Sequence, residues 1–224
     1  MQIPKLPTNS PIDKILNGGI EIGAVTNVFG PAGFGKTNIV ISTMLGCKNR
    51  IIYIDTEGSF STERFQQMGG NETNLKQIIL IEPDSWKKQH ETIANLEKMV
   101  SKEKIDLIVI DSLVALYRLE MDAKTYQTTN RQLSVQYAIL SNLARKLKIP
   151  VLVTSQVYNI GDDVEITSKT IAKYWSKCMI EISRGERENQ RIATLRKHRS
   201  IQEGKRVMFE ITNTGLKEVK FNIF

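Results

Sequence analysis

Apolar residues fall along this chain in two different rhythms. Five short runs, Val25–Phe29, Ile51–Asp55, Ile78–Ile81, Leu107–Asp111 and Val151–Ser155, are largely continuous and rich in β-branched side chains. Strands buried on both faces of a parallel sheet read this way, because neither face has to be polar. Between them the period lengthens. Ile93, Leu96 and Val100 share one face of a helical stretch, and Leu133, Tyr137, Leu140, Ala144 and Leu147 recur at i, i+3/i+4 spacing before Pro150. This alternation predicts a right-handed α/β fold, a twisted and mostly parallel sheet with helices on both faces.

After residue 175 the rhythm changes. Cys178–Ser183, Gln190–Lys197, Arg206–Thr212 and Val219–Phe224 read as strands joined by short polar turns that contain Gly185 and Gly204. They predict antiparallel C-terminal hairpins extending the sheet. Two polar connections, Tyr117–Asn130 and Tyr158 to about Lys173, are expected to be long loops, which in a compact domain usually serve function.

Composition narrows the class. At 224 residues, with 41% hydrophobic and 25% charged residues, the chain fits one soluble globular domain. It shows no secretion signal and no apolar run of membrane-spanning length. Cys47 and Cys178 stand alone in apolar surroundings, so a reduced, cytoplasmic protein is expected. The net charge of +7 is unevenly spread: Arg184–Arg206 holds eight basic residues against three acids, and so carries five of the seven excess charges. A polyanionic partner would account for that segment.

Directly after the first strand stands "GPAGFGKT", in which Gly30, Gly35, Lys36 and Thr37 satisfy G-x-x-x-x-G-K-[ST]. Glycines let such a loop turn its amides toward phosphate oxygens, and a helix N-terminus adds partial positive charge. Lys36 then reaches the β- and γ-phosphates, and Thr37 offers a hydroxyl to Mg²⁺. Gly30, Pro31, Ala32, Gly33, Phe34, Gly35, Lys36, Thr37 and Asn38 are the candidate contacts for a nucleoside triphosphate such as ATP. Asp111 ends the fourth strand, the usual place for an acid on the magnesium side. Asp55 and Glu57 both follow the second strand in "YIDTEG". Either one could activate an attacking water, and spacing alone does not choose between them.

Near the end lies "IATLRKHRS". On a regular strand Ala193, Leu195, Lys197 and Arg199 share one side, while Arg196 and His198 take the other.

Several stretches together resemble the RecA/RadA recombinase superfamily. They are "NSPIDKILNGGIEIGAVTNVFGPAGFGKT", "IDTEGSFSTERF", "LIVIDSLVALYR" and "VLVTSQV", in the superfamily's order from about Thr8 onward. The resemblance implies a RecA-like P-loop core. In it Glu57 activates water, Asp111 serves magnesium, Gln156 senses the γ-phosphate and Arg64 packs against the adenine. It makes the stretches after Tyr117 and after Gln156 the two DNA-facing loops, with Arg118 and Arg131 among the DNA contacts. In bacterial RecA and its relatives a K-x-K or K-x-R pair on the corresponding strand reaches a neighbouring subunit's γ-phosphate, a role that would fall to Lys197 and Arg199. Contact with DNA by Arg196, Lys197, His198 and Arg199 is the alternative.

Two departures set the chain apart. Only Met1–Pro7 stands before the core, without the N-terminal helical DNA-binding domain or the aromatic-x-x-Ala motif of full archaeal recombinases. The stretch after Gln156 is short and acidic at "GDDVE". The chain is therefore expected to be one core domain, residues 1–224, that does not exchange strands by itself. In this it looks like the RadB family of recombinase paralogues. That likeness implies ATP and DNA binding, weak hydrolysis, and partnership with the recombinase RadA and the Holliday-junction resolvase Hjc, besides self-association. A KaiC-like signalling or scaffold ATPase would instead carry a phosphorylatable or protein-binding insertion, and a kinase a lid of clustered arginines; neither feature is seen.

Overall fold

The computed structural model describes residues 3–101, 103–160 and 163–220, with side chains described outside 158–166. In chain order the elements are β1 (Lys5–Leu6), α1 (Asp13–Leu16), β2 (Ile20–Glu21), β3 (Val25–Phe29), α2 (Lys36–Met44), β4 (Arg50–Asp55), α3 (Thr62–Gln67), α4 (Glu72–Lys76) and β5 (Ile78–Ile81). There follow α5 (Trp86–Val100), β6 (Ile105–Asp111), α6 (Ala115–Glu120), α7 (Tyr126–Leu147), β7 (Val151–Ser155), β8 (Val157–Ile160) and β9 (Asp163–Ile166). The last are α8 (Lys169–Trp175), β10 (Cys178–Arg184), β11 (Gln190–His198), β12 (Arg206–Thr212) and β13 (Gly215–Val219).

A nine-stranded sheet in the order β13-β12-β11-β10-β3-β7-β6-β4-β5 organises the molecule. From β10 to β5 every neighbouring pair is parallel; β11, β12 and β13 add on antiparallel. The central strands β3 and β7 are buried along their whole length, which explains their continuous rather than alternating apolar character. Two cores result, one on each face. Ile93, Leu96 and Val100 of α5 and Leu133, Tyr137, Leu140 and Ala144 of α7 pack on one face. Ile39, Val40 and Ile41 of α2, with Ile12, Leu16, Phe65 and Phe209, pack on the other. The fold is α/β with antiparallel C-terminal strands, as the sequence rhythm predicts, and it has the RecA-like form that the resemblance implies.

Two local readings are corrected, and a third falls largely outside the described residues. The stretch Tyr117–Asn130 is not a long loop: α6 and α7 leave only residues 121–125 between them. Asp122 Oδ1 accepts the amide N–H of Lys124 at 2.7 Å and of Thr125 at 2.8 Å, closing the chain into a tight turn. The helix that follows opens on polar residues, so no apolar period marks its start. The stretch Tyr158–Lys173 likewise contains the β8–β9 hairpin and α8. The last strand among the described residues is β13, starting at Gly215, because Thr212 and Gly215 pair across a two-residue turn; the expected Val219–Phe224 strand lies, beyond Lys220, outside the described residues.

Candidate active site

The phosphate loop leaves the C-terminal end of β3 and enters α2. Its glycines are required by space and by backbone angle. A Cβ on Gly30 would stand 2.4 Å from the carbonyl oxygen of Ile182, and Gly35 caps α2 at φ 87°, a left-handed angle that side chains rarely adopt. Lys36 is buried and donates to the carbonyls of Gly30 and Pro31, each at 2.9 Å, so its ammonium sits inside the loop. Burial pushes the Lys36 pKa down, against the opposing charges of Asp111 and Glu57.

The parallel register brings the acids to the same end. Asp55 and Asp111 pair across β4 and β6. Thr37 Oγ1 donates to Asp111 Oδ2 at 2.7 Å, Tyr53 O–H donates to the same oxygen at 3.1 Å, and Thr154 O–H donates to Oδ1. Burial raises the Asp111 carboxyl above its ordinary range even though these donors oppose it. A buried carboxylate beside a threonine hydroxyl is a hard-oxygen pair that fits Mg²⁺ held jointly with phosphate oxygens. Among the described residues no cluster of three or more His, Cys, Asp or Glu side chains would hold a metal unaided.

The choice between Asp55 and Glu57 is now physical. Asp55 is 2% exposed and accepts the amides of Glu57 at 3.1 Å and Phe60 at 2.8 Å, so it braces the turn. Glu57 is exposed beyond that turn. Its carboxylate receives Ser112 O–H at 2.6 Å and both of its oxygens receive Gln156 Nε2, at 3.0 and 3.1 Å. Gln156 in turn accepts Arg118 Nη1 at 2.8 Å. An exposed carboxylate near enough to Lys36 for their charges to interact, and held by a glutamine, suits water activation.

A family profile described as Rad51 matches residues 2–219. A relative from Methanobrevibacter smithii, "DNA repair and recombination protein RadB", is 40% identical over 224 residues, covering 95% of each chain. A RadB from Methanococcus maripaludis strain C7 is 40% identical over 213 residues, 92% of this chain and 97% of that one. The chain belongs to the Rad51 family, in its RadB branch. A solved structure, "Crystal structure of the RadB recombinase", superposes with a TM-score of 0.83 at 33% identity, covering 96% of this chain and 100% of that one. Nucleotide binding through a RecA-like core is general to this family.

Two other candidate residues have these surroundings. Arg64 Nε donates to Asn38 Oδ1 at 2.8 Å, Nη1 to the carbonyl of Asn213 at 2.8 Å and Nη2 to that of Thr212 at 2.9 Å. It ties α3 to α2 and to the β12–β13 turn. Arg131 is exposed on α7.

The stretch "LRKHRS" lies at the opposite end of the sheet. β11 runs antiparallel to β10, so Gln190 and Arg191 start at the phosphate-loop end, while Lys197 and His198 pair with Met179 and Cys178 at the other. The expected alternation of its side chains is corrected, because a bulge intervenes. Ile180 pairs with Leu195, but Met179 pairs with Lys197, leaving Arg196 as the extra residue. Beyond it the faces exchange. Lys197 donates to the carbonyls of Lys173 and, at 2.8 Å, of Ser176. Arg196 pairs with Glu181. His198 turns inward with its side chain 1% exposed, so it does not face a DNA phosphate. Arg199 Nε stands 2.6 Å from Glu21, a buried carboxylate with no aligned hydrogen bond, so the contact is ionic.

His198 Nδ1 accepts the amides of Ser200 at 3.1 Å and Ile201 at 3.2 Å, which puts the proton on Nε2, 3.7 Å from Glu21. Burial lowers the His198 pKa below 6.5; Glu21 opposes this, while Lys5 and Arg199 add to it. A base with a depressed folded-state pKa binds fewer protons folded than unfolded. Stability should therefore rise with pH up to about 6.5 and fall as acid protonates the ring. In His198→Gln that acid-side slope should flatten, read as denaturation midpoints between about pH 5 and 7; an unchanged slope would discount the ring.

Sequence reading missed Ser112, Tyr53, Thr154 and Glu21. Ser112 had a signal, since it follows Asp111 directly in "VIDS". The others act across strands, and nothing local marks them.

Proposed function

We propose that this chain is an ATP- and DNA-binding accessory of homologous recombination and repair, with slow hydrolysis and no strand exchange of its own. The observation that carries the reading is the constellation of Lys36, Thr37–Asp111 and Glu57–Gln156 at one end of a RadB-type fold. Lys36 leaves its loop carbonyls for phosphate oxygens. Thr37 and Asp111 would hold Mg²⁺, which when bound would offset charge on the transferring phosphoryl group. Glu57 takes a proton from water, and Gln156 releases Glu57 when it turns toward the γ-phosphate.

Two features favour slow turnover. Glu57 is already bonded to Ser112 and Gln156, so those contacts have to open first. The basic strand end sits at the far end of the sheet, so Lys197 and Arg199 serve only a neighbouring copy's phosphate or DNA. Arg118 links the two ligands: a DNA phosphate that draws Arg118 from Gln156 Oε1 frees the glutamine. Exposed Arg131 and Arg196 add positive charge for DNA. Association with RadA and Hjc is carried over from the family resemblance.

Fluorescence anisotropy with a labelled oligonucleotide at several salt concentrations tests the DNA half. Binding near physiological salt is expected, with log K falling by about 0.7 to 0.9 per phosphate contact for each tenfold rise in salt. The absence of binding with or without ATP would remove DNA from the reading. A Lys197→Ala, Arg199→Ala double variant should lose ATP-linked assembly or turnover while keeping most DNA affinity. Intact turnover with a shallower salt slope would instead assign those residues to DNA.

A further inference from the structure

Behind the phosphate loop lies a cation without a described counter-ion. Arg191, near the start of β11, is 9% exposed and shares its strand face with Ala193 and Leu195. Its guanidinium carbon stands 4.7 Å from the centroid of the Phe34 ring. Nη1 donates to the carbonyls of Glu188 at 2.6 Å and Gln190 at 2.8 Å, whereas Nε is buried with no partner. Among the described residues no carboxylate forms an ion pair with it. Its register partner on β10 is a second cation, Arg184. Burial, then the charge of Arg184, lowers the Arg191 pKa, with Glu188 opposing. Buried charges are normally paired, because removing an ion from water is costly. An unpaired one next to a loop built for phosphate suggests that the partner is the phosphate.

Phe34 is the side chain through which Arg191 reaches that loop. The loop rests on the C-terminal strands at two other points, Gly30 under the carbonyl of Ile182 and Gly35 under the side chain of Ile211. Arg191 on Phe34 makes a third. A guanidinium suits this task because it is flat enough to stack and keeps its charge when buried.

We propose that Arg191 is a positioning residue of the phosphate loop. Stacked on Phe34, it holds the loop in its phosphate-binding form, and its charge is balanced only when a nucleotide polyphosphate enters. The inference rests on the nucleotide reading above and extends it: the β10–β11 turn, residues 185–189, becomes a part of the molecule that feels how many phosphates are bound.

Calorimetric titration of the full chain with Mg·ATP and Mg·ADP tests this in wild type, Arg191→Gln, Arg191→Lys and Phe34→Leu. Arg191→Gln should weaken ATP binding about tenfold and ADP binding about threefold, since the extra phosphate charge feels the missing cation most. Arg191→Lys keeps the charge without the flat face, so it should restore the ATP-to-ADP ratio but not the full affinity. Losses in the Arg191→Gln, Phe34→Leu double variant should be less than additive, because both changes cut one contact. Equal losses for both nucleotides, with no recovery of the ratio by lysine, would reduce Arg191 to a structural role and overturn the proposal. Should Arg191→Gln not fold, the lysine variant decides alone: unchanged affinities overturn the idea, and a lowered affinity at the wild-type ratio supports it. A wild type that binds neither nucleotide would sink the nucleotide reading itself. Full affinity in Arg191→Gln sinks only this inference.

Discussion

Lys36→Ala should raise the Kd for Mg·ATP by about 100-fold or more, the scale of losing a buried, charge-assisted contact to phosphate. The reason lies in where the ammonium sits. It is buried inside the loop, bonded to the carbonyls of Gly30 and Pro31, in the position that terminal phosphate oxygens would share. Alanine removes the charge and leaves both carbonyls without that donor. Apo stability should change much less than affinity, because burial already disfavours the ammonium in the free chain. Calorimetry for binding and thermal melts for stability separate the two. Wild-type affinity in this variant would mean that phosphate is not held by this loop.

The second large effect is expected on rate. Glu57→Gln should lower single-turnover hydrolysis about 100-fold or more while changing ATP affinity less than about threefold, as removal of a general base usually does. Glutamine keeps the shape and still accepts the Ser112 hydroxyl, so the turn should survive. Asp55 is the internal comparison. Its carboxylate holds two backbone amides, so Asp55→Asn should act mainly through stability. An unimpaired rate in Glu57→Gln would remove Glu57 from the chemistry and leave Gln156 without a partner to release.

What can be read from sequence divides along physical lines. The buried parallel strands and the phosphate loop are local: continuous β-branched runs and a fixed glycine–lysine spacing seldom arise without a buried sheet and a bound phosphate to require them. The start of α7 is not legible. Its first turns carry Gln127, Thr128, Asn130 and Arg131, and the turn before it is closed by Asp122 and Thr125 rather than by an apolar signal. The hairpin β8–β9 has the same difficulty, since two four-residue strands that, among the described residues, pair only with each other leave no long apolar run in the sequence. Glu57 and Asp55 are indistinguishable by spacing, and their separation needs the amides that Asp55 accepts. For Glu21 the information is tertiary: a lone acid on the two-residue strand β2 gains meaning only when β11 ends beside it.

The bulge at Arg196 has a consequence for how this strand tolerates change over time. Upstream of it, Ala193 and Leu195 belong to the core; downstream, Lys197 and His198 are placed by a shifted frame. One supernumerary residue thus uncouples the two halves of a single strand. Substitutions that tune the basic end need not respect the alternation that the core imposes, and the β10 partner strand can stay as it is. Gain or loss of one residue at this point would exchange the faces of the whole basic end in a single step. The position therefore behaves less like a surface arginine than like an adjustable joint between a fixed scaffold and a variable tip.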